Sequence, residues 1–289
     1  MANAVHAVIP GDVGTVGMIV GLALRKPLLV RHCGNWFVQQ TLAERFWKWF
    51  MERFAGGRNV MLATGEAPGP PSRRNPAIQW MFSTTLTREE LARSSRNGDS
   101  PRRARSRVII VSRQERRKGT SALIKSLPII SKFLPSITLD VVGTGSELKR
   151  LQELARELDL TRQVTFHGQV RHSRVLELLR QSDLFCFPTA SSEGFPKAVL
   201  EALAVGLPVI TTRVSVLPEL LKTGCGLLID SVEPGAIAEA VRQVLLDSTR
   251  YSAMSKQAVQ TARAYSLEDW RDKIAALLQS AWGPLSSHA

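Results

Sequence analysis

The sequence predicts an α/β protein built on parallel, doubly wound sheets. Two observations carry that prediction. From Val108 onward, short apolar runs rich in β-branched residues alternate with amphipathic stretches of helical length. Strands joined by crossover helices read this way, whereas hairpins need only a few turn residues between runs. Before Val108, similar short runs recur at wider spacing, again separated by stretches long enough for helices.

The elements follow in order. Val5–Ile9 reads as a strand, and Gly11-Asp12-Val13-Gly14 as the loop leading into an apolar helix to about Leu24. That stretch is apolar and Gly-rich but too short to span a bilayer, so it is expected to be a packed helix. Leu28–Val30 is the next strand, ending in Arg31-His32-Cys33-Gly34. A strand end followed by glycine is where open α/β sheets place ligands, which makes His32 a candidate; a lone histidine is otherwise structural. Residues 41–58 form an amphipathic helix with Phe46, Phe50 and Phe54 on one face and Arg45, Lys48, Arg53 and Arg58 on the other. Its aromatics either pack on the sheet or lie on an anionic membrane interface. Val60–Ala63 is a strand, Pro68–Pro76 a loop, and residues 87–93 a brief helix. Ser94–Arg107 is polar and basic and reads as an exposed linker. Strands are then expected at 108–112, 137–143, 163–168, 184–188, 208–212 and 226–230, with helices at 147–158, 174–181, 235–247 and 251–264. Ser266 starts a last helix running to about Ala281. The domains expected are 1–107 and 108–289.

Composition narrows the class. With 289 residues, 44% hydrophobic and 22% charged, the chain is an ordinary globular protein. Its net charge of +13 is concentrated early: residues 1–110 carry 16 Lys/Arg against 7 Asp/Glu. That favours an anionic partner there. Nucleic acid is not expected, because no aromatic residue interleaves with the charges of the linker. The three cysteines form no C-x-x-C pair and are expected to be buried apolar side chains in a reducing compartment. No metal cluster is visible, and the N-terminus shows no charged region before an apolar core.

The stretch Glu193-Gly194-Phe195-Pro196-Lys197-Ala198-Val199-Leu200-Glu201 follows the strand Leu184–Phe187 and precedes Gly206-Leu207-Pro208-Val209. It reads as strand, loop, helix, glycine stop, strand. A carboxylate on a helix is usually solvated. This frame, however, resembles the E-x7-E region of retaining glycosyltransferases with the GT-B fold, in particular glycosyltransferase family 4. The resemblance implies two Rossmann-like domains, the second binding a nucleotide-diphosphate sugar. It places Glu193 and the backbone of Gly194 and Phe195 against the sugar and Glu201 against the ribose hydroxyls. A carboxylate accepts two hydroxyl donors, and a helix start offers free N–H groups to a diphosphate.

Ser112-Arg113 closes a strand, and Lys118-Gly119-Thr120 opens the next helix. This R-x4-K-G spacing matches the family's pyrophosphate pair, so Arg113 and Lys118 are expected to stabilise the leaving diphosphate. The resemblance further places Gly143, Gly145, Val170, Thr189 and Ser192 near the nucleotide and phosphates. His167-Gly168-Gln169-Val170 is similar to the strand end that reads the base. The strand-end position of His32 is similar to that of the histidine that approaches sugar or acceptor. Gly143-x-Gly145 alone is weak, because the third glycine of a dinucleotide fingerprint is absent. No cofactor or metal is implied; the donor is of UDP or GDP type, the acceptor an unknown hydroxyl, and the leaving phosphate serves as base. The setting implied is polysaccharide or glycolipid synthesis in the cytoplasm, peripheral to the inner face of the membrane. Over 1–107 the resemblance is looser, and roughly the first half of the N-terminal domain seen in the family is expected to be missing. A non-catalytic nucleotide-sugar-binding subunit that needs a partner chain is the alternative.

Overall fold

The structure, a computed structural model, describes residues 3–94, 106–191 and 194–284. It divides into two compact units: Met1–Thr85 with Ser192–Phe195 and Leu267–Ala289, and Leu86–Ser191 with Pro196–Ser266. The division falls at 85/86, not at the expected 107/108. Buried Leu86 and Leu91 go with the second unit. Most of the expected linker Ser94–Arg107 lies outside the described residues.

The first unit carries a parallel sheet in the order β1-β2-β3-β4, formed by β1 (Val5–Ile9), β2 (Leu28–His32), β3 (Asn59–Thr64) and β4 (Gln79–Met81). Helix α1 (Asp12–Ala23) joins β1 to β2, and α2 (Leu42–Phe54) joins β2 to β3. The strand alternation is two-sided. Leu28, Val30, Met61 and Ala63 meet Met18, Trp36, Phe50 and Met51, while Leu29, Val60 and Leu62 point to the other face. Both faces are covered, as parallel sheets require. β4 was not expected. Three residues show no periodicity, and the strand is fixed by its surroundings: Trp80 Nε1 donates to the Gly69 carbonyl at 2.9 Å.

Helix α1 sits tightly on β1 because Gly14 has no side chain; a Cβ there would fall 2.0 Å from the Val8 carbonyl oxygen. Only Met18 and Gly21 of this helix are buried. The expectation of a packed helix therefore holds for one face alone. Helix α2 starts with a reciprocal cap between Thr41 and Glu44. Its two readings divide between its sides. Phe50 and Met51 are buried, with Trp47 and Phe54 packed beside them, while Leu42 and Trp49 are exposed. Trp47 Nε1 donates to Thr15 Oγ1 at 2.8 Å and ties α2 to α1. Cys33 is exposed, which corrects the expectation of burial; Cys186 and Cys225 are buried.

The second unit opens with α3 (Arg88–Ser94) and holds a six-stranded parallel sheet in the order β10-β9-β8-β5-β6-β7. The chain runs β5 (Arg107–Val111), α4 (Thr120–Ile130), β6 (Thr138–Val142), α5 (Leu148–Glu157), β7 (Val164–Gly168), α6 (His172–Gln181) and β8 (Leu184–Phe187). It continues through α7 (Lys197–Ala204), β9 (Val209–Thr212), α8 (Leu217–Leu221), β10 (Gly226–Ile229), α9 (Pro234–Leu245) and α10 (Ser248–Ala262). Val108, Ile109 and Ile110 of β5, and all of β8, are buried. Strand order reverses between these two neighbours, which makes their carboxyl ends the topological switch point.

The last helix, α11 (Leu267–Trp282), belongs to the first unit. Trp270, Ile274, Leu277, Leu278, Ala281 and Trp282 form one apolar stripe that covers Leu29, Val60, Leu62 and Met81. Arg31 lies 4.8 Å over the Trp270 ring, and Trp282 Nε1 donates to the Arg58 carbonyl at 2.8 Å.

Candidate functional site

In the second unit, the loops after β5 and β8 lock together at the switch point. Ala190 N donates to the Arg117 carbonyl at 2.8 Å, and the Arg117 guanidinium donates back to the Ala190 carbonyl at 3.2 Å. Gly119 takes φ +80°, and a Cβ on it would lie 2.0 Å from the Pro188 carbonyl oxygen. The approach of the two loops therefore requires glycine there. Lys118, in the one-turn 3-10 segment before it, is only 7% exposed, and its ammonium lies 6.0 Å from the centre of the Phe187 ring at the end of β8. Lys118 thus stands at the switch point, where open α/β sheets place their ligands.

Arg113 does not share this environment. Its side chain is 77% exposed and pairs with Glu115 at 3.1 Å. Of the expected pair, Arg113 is thus turned to solvent and Glu115, while Lys118 is nearly buried. Thr189 is fully buried, and its hydroxyl is engaged within the loop, accepting from Ser191 N at 3.0 Å. Its carbonyl accepts from Thr212 Oγ1 at 2.6 Å. The side chain expected near phosphate thus holds the loop after β8 in shape.

The glycines of the β6–α5 loop also have structural partners. Gly143 has φ +112°, and a Cβ on it would lie 2.0 Å from the Ser112 carbonyl oxygen; on Gly145 it would lie 2.3 Å from that of Gln114. Gln114, fully buried and not singled out by sequence, fastens the same region. Its amide donates to the carbonyls of Ser112 at 2.9 Å and Val142 at 3.1 Å, and it accepts from Thr120 Oγ1 at 2.8 Å. Local packing is therefore enough to require glycine at both positions. His167, read by sequence as near the base, contacts Asp140 at 2.6 Å, which also receives the Arg107 guanidinium. Val170 is half-buried, two residues ahead of α6.

Glu201 lies in the second turn of α7 and is only 7% exposed, not solvated as a mid-helix carboxylate usually is. His172 Nε2, at the start of α6, is 3.0 Å from its Oε1. Sequence reasoning missed His172. No local signal joins residues 29 apart; only the packing of α6 beside α7 does so. A buried carboxylate with one oxygen already oriented is a directional acceptor for hydroxyl groups.

The first unit holds the other candidates. His32, at the end of β2, is 2% exposed, with its ring edge-on to Trp36 at 5.4 Å and no hydrogen-bond partner for Nδ1. Burial lowers its pKa from 6.5 to about 4, so the imidazole is neutral at pH 7. Gly194 and Phe195 group with this unit. A Cβ on Gly194 would lie 3.3 Å from the Cys33 carbonyl oxygen, and the Phe195 ring centre lies 6.2 Å from that of Phe82. Ser192 and Glu193 lie outside the described residues. Among the described residues, no group of three His, Cys, Asp or Glu could hold a metal ion, and no helix is long and apolar enough to cross a membrane.

Comparison with known proteins decides the family. The profile of the family "Glycosyl transferases group 1" matches residues 95–261, more than half of the chain. The chain belongs to this family. Among its curated relatives, the D-inositol 3-phosphate glycosyltransferase of Corynebacterium urealyticum is 33% identical over 59% of this chain and 42% of its own. The GDP-mannose-dependent alpha-(1-6)-phosphatidylinositol monomannoside mannosyltransferase of Mycobacterium tuberculosis is 31% identical over 66% of this chain and 49% of its own. The match thus spans less than half the length of these relatives. Among solved structures, Anabaena HepE in complex with UDP and glucose superposes with a TM-score of 0.76 at 19% identity, over 95% of this chain and 77% of that chain. WaaG, a glycosyltransferase involved in lipopolysaccharide biosynthesis, gives a TM-score of 0.66 at 18% identity, over 94% and 82%. These likenesses show the fold, which is of the GT-B type.

Proposed function

We propose that this glycosyltransferase is a retaining, metal-independent family 4 enzyme that moves a sugar from a UDP- or GDP-type donor to a hydroxyl acceptor. Polysaccharide or glycolipid synthesis is the setting. The observation that carries the reading is Lys118, held at the switch point where the loops after β5 and β8 meet. The second unit holds the donor. Lys118 balances the diphosphate, Arg113 joins it after leaving Glu115, and Glu201 accepts the ribose hydroxyls with His172 fixing its other contact. Val170 lies beside the base, and the start of α7 offers backbone N–H groups to phosphate. Glu193 and the backbone of Gly194 and Phe195 hold the sugar. From the first unit, neutral His32 serves the sugar or acceptor as a hydrogen-bonding group, not as a cation.

In the reaction, the bond between the sugar's anomeric carbon and the phosphate oxygen breaks, and the diphosphate leaves with the electron pair. The acceptor oxygen forms the new bond on the same face, and its proton passes to the leaving phosphate oxygen. Fixed cations stabilise charge as it develops on the diphosphate. The relatives' named use of GDP-mannose and the UDP in HepE support the donor class. The exposed, basic side of α2 rests on an anionic membrane surface, which places the enzyme peripherally at the cytoplasmic face.

Thermal unfolding with a panel of UDP-, GDP- and ADP-sugars tests the donor site. A donor at about a hundred times its dissociation constant adds about 2.7 kcal/mol of stability. The expected result is stabilisation by one nucleotide class, lost in Glu201→Ala and in Lys118→Ala while both variants keep the circular dichroism of the parent. Stabilisation that survives in both variants, or is absent for every donor, overturns the reading. The anomeric configuration of a product made with the best donor, read by NMR, tests retention.

A further inference from the structure

The segment from Ser112 to Thr120 leads from β5 into α4 and carries both Arg113 and Lys118. One buried side chain ties down both of its ends. The Gln114 amide donates to the Ser112 carbonyl at the start of the segment and to the Val142 carbonyl at the end of β6. Its oxygen accepts from Thr120 Oγ1 at the other end. The main chain of Gln114 reaches the β6–α5 loop: its N–H donates to the Thr144 carbonyl at 2.9 Å, and its carbonyl accepts from Glu147 N at 3.0 Å. Each polar group of this residue is engaged, and the partners lie on separate segments that meet at the switch point.

Stability alone does not call for an amide here. Hydrogen bonds formed on burial replace bonds to water, so their net gain is modest, and an apolar chain of the same length fills the same space. Glutamine is distinguished by offering two donors and an acceptor in fixed directions. Methionine has the length without these groups, ionised glutamate accepts only, and asparagine is a methylene shorter. Thr120 is the partner that bears on the site. It is buried and joined to Lys118 through Gly119 alone, whose φ of +80° and close approach to the Pro188 carbonyl leave that link no slack.

We propose that Gln114 is a positioning residue for the diphosphate of the donor: by holding Thr120 it holds Lys118. This rests on the donor site proposed above. A cation assists a leaving diphosphate only when it is already in place, and a displacement of about 1 Å costs on the order of a hundredfold.

Isothermal titration calorimetry of the full chain with UDP and UMP, and with GDP and GMP, tests this. The ratio of diphosphate to monophosphate affinity isolates the contact with the second phosphate, and a uniform loss of stability does not move it. Lys118→Met is expected to lower the ratio at least about tenfold. Gln114→Met is expected to lower it about as much at unchanged circular dichroism. Thr120→Val, which removes only the hydroxyl that Gln114 holds, is expected to lower it severalfold, and this decides the matter if Gln114→Met does not fold. In the Lys118→Met background, Gln114→Met is expected to change the ratio less than about twofold, because it acts through Lys118. If Lys118→Met lowers the ratio while Gln114→Met and Thr120→Val leave it alone, the positioning role is overturned and the donor site stands. An undiminished effect of Gln114→Met in the Lys118→Met background also overturns it. If Lys118→Met leaves the ratio unchanged, or neither diphosphate binds, the donor site falls and the positioning role with it.

Discussion

His32 is a case where burial rewrites the chemistry of one side chain. Desolvation is the main cause of its lowered pKa; the Glu44 charge works against it and the Lys48 charge with it. The unfolded chain binds a proton at this residue near pH 6.5, the folded chain only near pH 4. Between those values the unfolded state holds more protons, so folding stability falls as pH is lowered through the window. The contribution is about 3 kcal/mol at most. In a series of urea titrations from pH 7 to 4, the parent is expected to lose this stability and His32→Phe to lack the loss. Parallel curves would show that His32 titrates as it does in the unfolded chain. The neighbouring residues show what sequence made legible. His32 could be placed at a strand end, but that Trp36 and Gly34 enclose it depends on how the loop after β2 folds back. The place of Glu201 on a helix was legible through its frame of Gly-Phe-Pro and apolar residues. Its partner His172 was not, because the contact depends on α6 and α7 being neighbours. Gly143 and Gly145 stood out as glycines, yet the immediate reason for them is the backbone of Ser112 and Gln114, on another loop.

Among the elements, α1 and α2 show where periodicity stops being informative. Long crossover helices of the second unit follow their pattern because each has one buried face. Helix α2 has apolar groups on two sides, and sequence cannot say which side meets the sheet. The structure buries Phe50 and Met51 and leaves Leu42 and Trp49 outside, with Phe46 at the margin. The exposed side carries Arg45 and Arg53 on the same helix, while half-buried Lys48 turns to the Trp36 ring at 5.3 Å. Exposed aromatic and aliphatic groups beside cations suit an anionic lipid surface. Co-sedimentation with vesicles is therefore expected to require an anionic lipid and to weaken as salt rises. Arg45→Glu with Arg53→Glu is expected to abolish it, and Trp49→Ala to reduce it severalfold at unchanged charge. Equal binding to neutral vesicles, or to the charge-reversed variant, would assign this face another role.

At the scale of the whole molecule, the chain returns to its beginning to complete a core. The sheet of β1–β4 is covered on one face by α1 and α2, while Leu29, Val60, Leu62 and Met81 on the other are covered by α11, more than 180 residues later. Removing α11 therefore exposes apolar surface in the first unit without deleting any strand of it. The six tryptophans offer a selective probe: Trp36, Trp47, Trp49, Trp80, Trp270 and Trp282 all lie in the first unit. Their fluorescence reports that unit alone, whereas far-ultraviolet circular dichroism is weighted by the many helices of the second. A chain ending at Tyr265 keeps four of the six. It is expected to show red-shifted emission and to bind a hydrophobic dye, while keeping much of the helical signal and its cooperative melting. Ile274→Asp with Leu278→Asp should do the same in the full-length chain, because it places charge on two half-buried positions of the stripe that covers Leu29 and Leu62. If fluorescence and circular dichroism instead collapse together in both variants, the two units unfold as one cooperative block, and α11 secures the second unit as well as the first.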